Sequence, residues 1–145
     1  RMVREATYEE KKKYLSSYFM LRKKELNYDI ELKVLDEMTH ISGQSITGMP
    51  KAHDNRDLSD TMVSIEEKKE KYMKLRLDAD KAAIRIMENI NKMHDEDSKR
   101  ILLRRHILFW PWKKLCEAET YSRGGMDKRY KKAVEEFSHR IVVKE

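Results

Sequence analysis

One cysteine, two prolines and four glycines in 145 residues leave little material for a disulfide framework or a loop-rich β fold. Cys116 has no partner for an internal disulfide, so nothing points to an oxidising compartment and a cytoplasmic location is expected. No apolar run approaches the ~20 residues that cross a bilayer. Hydrophobic residues make up 39% of the chain and charged residues 40%, against about 45–50% and 25% in ordinary domains, which is too little apolar material for a thick core. The five histidines, His40, His53, His94, His106 and His139, are scattered without ligand spacing. There is no phosphate-cradling glycine loop, no GxSxG elbow and no convincing acid/base pair. No catalytic residue, metal or cofactor is therefore assigned, and enzymatic activity is not expected.

Lys, Glu, Leu, Arg and Met are abundant, and they suit long helices with one buried seam. Tyr14, Leu21, Tyr28 and Leu35 recur every seven residues, with Tyr18 and Leu32 on the same face and Glu25 as the polar interruption. This predicts a helix from Tyr8 to Met38 with Thr7 as its cap. Gly43, Gly48 and Pro50 then mark a loop over 39–57. A second stripe follows: Leu58, Ile65, Tyr72, Ala79, Ile86 and Met93 at one heptad position, Met62, Ala83 and Ile90 at another, interrupted by Lys69 and Arg76. An antiparallel hairpin within the chain and a self-associating coiled coil, hence a homodimer through the long helices, both satisfy these stripes.

The pattern shortens after His94. Asp97 or Ser98 can cap a helix carrying Ile101, Leu102, Ile107 and Leu108. Phe109-Trp110-Pro111 forces a turn, and Trp112, Leu115 and Cys116 mark one face of a short helix. Thr120-Tyr121-Ser122 is the next break. Ser122 caps a last helix expected to run from Arg123 towards Val142, with Met126, Tyr130, Ala133, Val134 and Phe137 buried. A short helix, a tight turn and a longer basic helix make a helix-turn-helix. Its packing residues would be Trp112, Leu115, Cys116, Tyr121, Met126 and Ala133. The fold class is all-α: a long helical hairpin or coiled-coil arm over residues 1–95, then a small helix-turn-helix domain over 96–145.

Charge points the same way. From Glu96 to Glu145 there are 13 Lys and Arg against 8 Asp and Glu, which accounts for most of the net charge of +6. Arg123, Lys128, Arg129, Lys131 and Lys132 on the last helix, with Lys113 and Lys114 on the one before, are the candidate contacts to double-stranded DNA.

The same residues carry a family resemblance. Gly48-Met49-Pro50 in a polar linker, Asp60 to Ile65 opening a charged helix, Ile101-Leu102-Leu103-Arg104-Arg105-His106-Ile107, Trp112-Lys113-Lys114-Leu115-Cys116, Tyr121-Ser122 and the register of Arg123, Met126 and Ala133 resemble the ArpU/RinA-type late transcription regulators of bacteriophages. The C-terminal part of those proteins is similar to region 4 of primary sigma factors. The resemblance implies a phage or prophage protein that binds promoter DNA to activate late genes and contacts RNA polymerase. Five residues depart from the pattern. Glu119 and Arg129 stand at positions it keeps apolar, Pro111 is unusual at the start of the scaffold helix, and Gly124 and Gly125 loosen the start of the last helix. The glycines would let a phosphate approach the backbone closely, or mark divergence from DNA binding. A helical adaptor or inhibitor that binds a protein partner is the alternative reading.

Overall fold

The computed structural model of the protein describes residues 2–44 and 55–144, without the side chains of 40–44, 55–59 and 61. The chain order is β1 (Met2–Glu5), α1 (Tyr8–Gln44), α2 (Asn55–Asn91), α3 (Glu96–Leu102), a π-helical turn (Leu103–Ile107), α4 (Trp112–Glu119), α5 (Arg123–Glu136) and β2 (Arg140–Val143). The class is all-α, with a two-stranded sheet as its only β structure among the described residues. No described helix is long and apolar enough to cross a membrane.

Helix α1 begins with a capping box: Thr7 Oγ1 accepts from the Glu10 N–H at 3.3 Å, and Glu10 Oε1 accepts from the Thr7 N–H at 3.0 Å. The Arg4 guanidinium, then the Thr7 N–H, hold the Glu10 carboxyl down at about 2. The helix continues past Met38 to Gln44, and α2 starts at Asn55, so residues 39–44 and 55–57 are helical where a loop was expected. Thr39 lies within α1, its hydroxyl donating back to the Leu35 carbonyl at 2.9 Å. Residues 45–54, with most of the expected loop, lie outside the described set, as does the Leu58 side chain.

The chain divides into two compact units, residues 1–20 with 79–145 and residues 21–78. This differs from a linear division at residue 95. The N-terminal turns of α1 and the C-terminal half of α2 belong with the terminal helices because their apolar residues share one core: Leu15, Ile86, Ile90, Ile101, Leu102, Leu115, Met126, Val134 and Phe137 are all buried in it. Around that core Asn89 donates to the Tyr14 hydroxyl at 2.6 Å. In the second unit α1 and α2 run antiparallel within the chain, since Glu25 faces Arg76 at 4.0 Å and Glu31 faces Lys68 at 2.9 Å. The polar interruptions Glu25 and Arg76 thus answer each other, whereas Lys69 pairs with Glu66 in its own helix at 3.6 Å. Met62, expected in the seam, is exposed.

Two boundaries differ from expectation in the terminal region. Asp95, rather than Asp97 or Ser98, caps α3 by accepting from the Asp97 N–H at 3.0 Å. Helix α5 stops at Glu136 instead of continuing towards Val142, because Phe137 turns extended (ψ 128°). Arg140–Val143 then pairs antiparallel with Met2–Glu5, Met2 opposite Val143. The Ala6 N–H donates to the His139 carbonyl at 2.7 Å, and Glu5 accepts from the His139 N–H at 2.9 Å, which ties the two terminal segments together.

Candidate nucleic-acid interface

Pro111 precedes α4, and Thr120 ends it in the left-handed region (φ 58°, ψ 41°). The Tyr121 N–H reaches back to the Cys116 carbonyl at 3.0 Å and the Thr120 N–H to Glu117 at 3.4 Å, a Schellman arrangement built on threonine where glycine is usual. Ser122 is extended (ψ 166°), and its Oγ accepts from the Gly125 N–H at 3.1 Å to open α5. Helix, three-residue turn and helix therefore follow as the sequence suggests.

Of the expected packing residues, Leu115, Met126 and Ala133 are fully buried, and Trp112 and Cys116 are half-buried. Tyr121 is 41% exposed. Its ring lies along the start of α5, where a Cβ at Gly125 would meet Tyr121 Cδ1 at 3.4 Å, so it covers the turn from outside rather than filling the core. Beneath α5, the Tyr130 hydroxyl and His106 Nε2 are 2.7 Å apart, and Trp112 meets Tyr130 edge-on at 5.0 Å. Burial first, then the charges of Arg105 and Lys12, push His106 down to about 4. The ring is therefore neutral at physiological pH, and burial raises Tyr130 as well.

The basic candidates separate into two sets. Lys128, Lys131 and Lys132 are exposed on α5, opposite its buried face, and Lys113 and Lys114 are exposed on the first turn of α4. Arg123 is half-exposed beside Asp127 at 3.2 Å. Arg129 is a correction: with 13% of its side chain exposed, it turns inward to Asp95 at 3.2 Å and Ser98 Oγ at 3.0 Å. It clamps α5 to the cap of α3, in line with Ser98, whose hydroxyl donates to Glu136 at 2.6 Å. Glu119 has the same kind of role. Its carboxylate, 7% exposed, accepts two bonds of 2.7 Å from Arg100 and lies 3.2 Å from Arg104. Those hydrogen bonds from Arg100 hold its carboxyl below the usual range. Each of these two sheltered charges meets an opposite charge on a neighbouring element.

Arginines 104 and 105 were missed as surface features. Arg104 stacks at 4.5 Å and Lys114 at 4.2 Å on Trp110, while Arg105 at 4.2 Å and Arg123 at 4.4 Å stack on Trp112. The alternation of Arg104-Arg105 with Trp110-Pro111-Trp112 was the available signal. The π-helical turn and Phe109 in the left-handed region (φ 58°) set these side chains, with the Phe109 ring held by Tyr18 and Phe19, each at 5.1 Å. A separate cleft brings His94, Asp95, Glu136 and His139 near one another. No group of His, Cys, Asp and Glu among the described residues is arranged to hold a metal ion.

No family model, curated protein or solved structure matches this chain.

Proposed function

We propose that the protein is a DNA-binding transcription regulator of the phage late-gene type, with α5 entering the major groove of promoter DNA and acting as an activator. The observation that carries this reading is the outer face of α5, where Lys128, Lys131 and Lys132 stand exposed on a helix anchored from behind by Met126, Tyr130, Ala133 and Val134. Exposed lysines on a helix that follows a tight turn can neutralise phosphates, and those near its start can reach base edges. Arg123, Lys113 and Lys114 would flank that contact. Arg129 is left out of it, since Asp95 already occupies its charge.

The test is duplex binding by a K128E/K131E double variant, with helicity and unfolding followed in parallel. The expected result is loss of binding in a folded protein. Retained binding would overturn this contact face.

A protein-binding role has its own support in residues 21–78. None of the described side chains there is buried, and Leu26, Ile30, Val34, Met38, Met73 and Leu77 are exposed. Within the regulator reading this surface would join a second copy or contact RNA polymerase. In the adaptor reading it would be the whole function. Sedimentation of the purified protein tests the second-copy role: a homodimer would be lost on replacing Leu26 and Ile30 with Lys, and a monomer at all concentrations would remove self-association.

A further inference from the structure

Two guanidiniums stack on Trp112, and the more sheltered of them, Arg105, lacks the counter-charge that a sheltered cation normally has. Arg105 is half-buried and donates to the Trp110 carbonyl at 2.8 Å, but among the described residues no carboxylate lies within ion-pair distance of it. Arg123 has only Asp127, on the exposed side of α5. Indole faces attract cations by ~0.5–2 kcal/mol, yet a neutral ring cannot cancel the repulsion between two positive charges. Burial weighs most against the charged form of Arg105, Tyr130 offsets part of that, and the neighbouring Arg123 charge adds to it. Elsewhere in this unit sheltered charges are paired, Arg100 and Arg104 with Glu119 and Arg129 with Asp95. The planar Arg105 fork, held by stacking and bonded only to the Trp110 carbonyl, matches the oxygens of a phosphate, and Arg123, paired to Asp127 through one nitrogen, can add a second donor.

We propose that Arg105 and Arg123, braced on Trp112, form a seat for one phosphodiester group of duplex DNA beside α5. This rests on the duplex-binding reading above and adds to it a residue that lies outside the helix-turn-helix. The seat reads no base. It fixes the register in which α5 meets the groove, and it brings the missing negative charge to Arg105.

Salt dependence counts such contacts, because each neutralised phosphate contributes about 0.9 to the slope of log affinity against log salt. Relative to the wild type, R105Q/R123Q is expected to flatten the slope by about one, equally on promoter and scrambled duplex, and R105K/R123K to restore it. Should the double Gln variant fail to fold, R105Q and R123Q singly are each expected to flatten the slope by less than one. If the wild type binds with a steep slope and no Gln variant changes it, the seat is overturned and duplex binding stands. If the wild type binds no duplex at any salt concentration, both fall together.

Discussion

The same two helices behave differently along their length. Where α1 and α2 meet α3, α4 and α5, they contribute Leu15, Ala79, Ala83, Ile86 and Ile90 to a closed core. Within residues 21–78 they meet only each other, and no described side chain is buried. The heptad stripe runs through both stretches, but its polar interruptions Glu25, Lys69 and Arg76 all fall in the second, and the number of layers adds to that difference. A pair of helices covers one line of side chains, and a third element is needed to remove them from water. The first unit has the means to hold a site rigidly, and the second presents surface.

Truncation should expose that contrast most strongly. Phe137→Ala, in the closed core, should cost about 3–5 kcal/mol, whereas Leu26→Ala should stay within about 0.5 kcal/mol. Urea unfolding of the full chain measures both, and equal losses would break the comparison.

Acid should act on the first unit through His106. Its folded value of about 4 lies below the ordinary 6.5, so the unfolded chain takes up the proton first. The stabilisation is complete above about pH 6.5 and is lost as the pH falls towards 4, by about 3 kcal/mol in all. The depressed carboxyls of Glu10 and Glu119 act in a lower window, below their ordinary 4.5. Unfolding followed by pH should therefore show a limb between pH 6.5 and 4.5 that His106→Gln flattens.

Glu119→Gln should cost about 2 kcal/mol near neutral pH, since it weakens a sheltered bidentate pair and leaves the arginines of the α3 side short of a partner. An exposed pair in the hairpin, Lys68 with Glu31, should be worth less than the Glu119 pair. Double-mutant cycles on the two pairs compare them directly.

The smallest effects separate the two glycines of α5. A Cβ at Gly124 meets nothing within 4 Å, so Gly124→Ala should stabilise the helix by about 0.5–1 kcal/mol. At Gly125 a Cβ would lie 3.2 Å from the capping Ser122 Oγ, and alanine there should gain less or lose. Thermal melts of the two variants decide the order.

Much of this architecture is legible in the sequence because its causes are local. The 3.6-residue rhythm around Met126, Tyr130, Ala133 and Phe137, the Ser122 cap and the turn at Thr120 depend on neighbours within a few positions. What escaped depends on distant ones. Arg140–Val143 is a strand only because Met2–Glu5 lies alongside it, and that partner is at the other end of the chain. Arg129 points inward only because Asp95 awaits it, and Glu119 is tolerated only because Arg100 and Arg104 face it. Arg105 acquires its place from a π-helical turn that no periodicity announces. The exposed lysines of the candidate site were readable, while the arginines that share their surface needed the folded neighbours.

The most direct measurement is a salt series of wild-type binding to a duplex carrying a candidate late promoter, with a scrambled duplex beside it. The regulator reading predicts preference for the promoter and an affinity that falls steeply as salt rises. Absence of binding at low salt would contradict it and leave the exposed hairpin surface, with a protein partner, as the place to look.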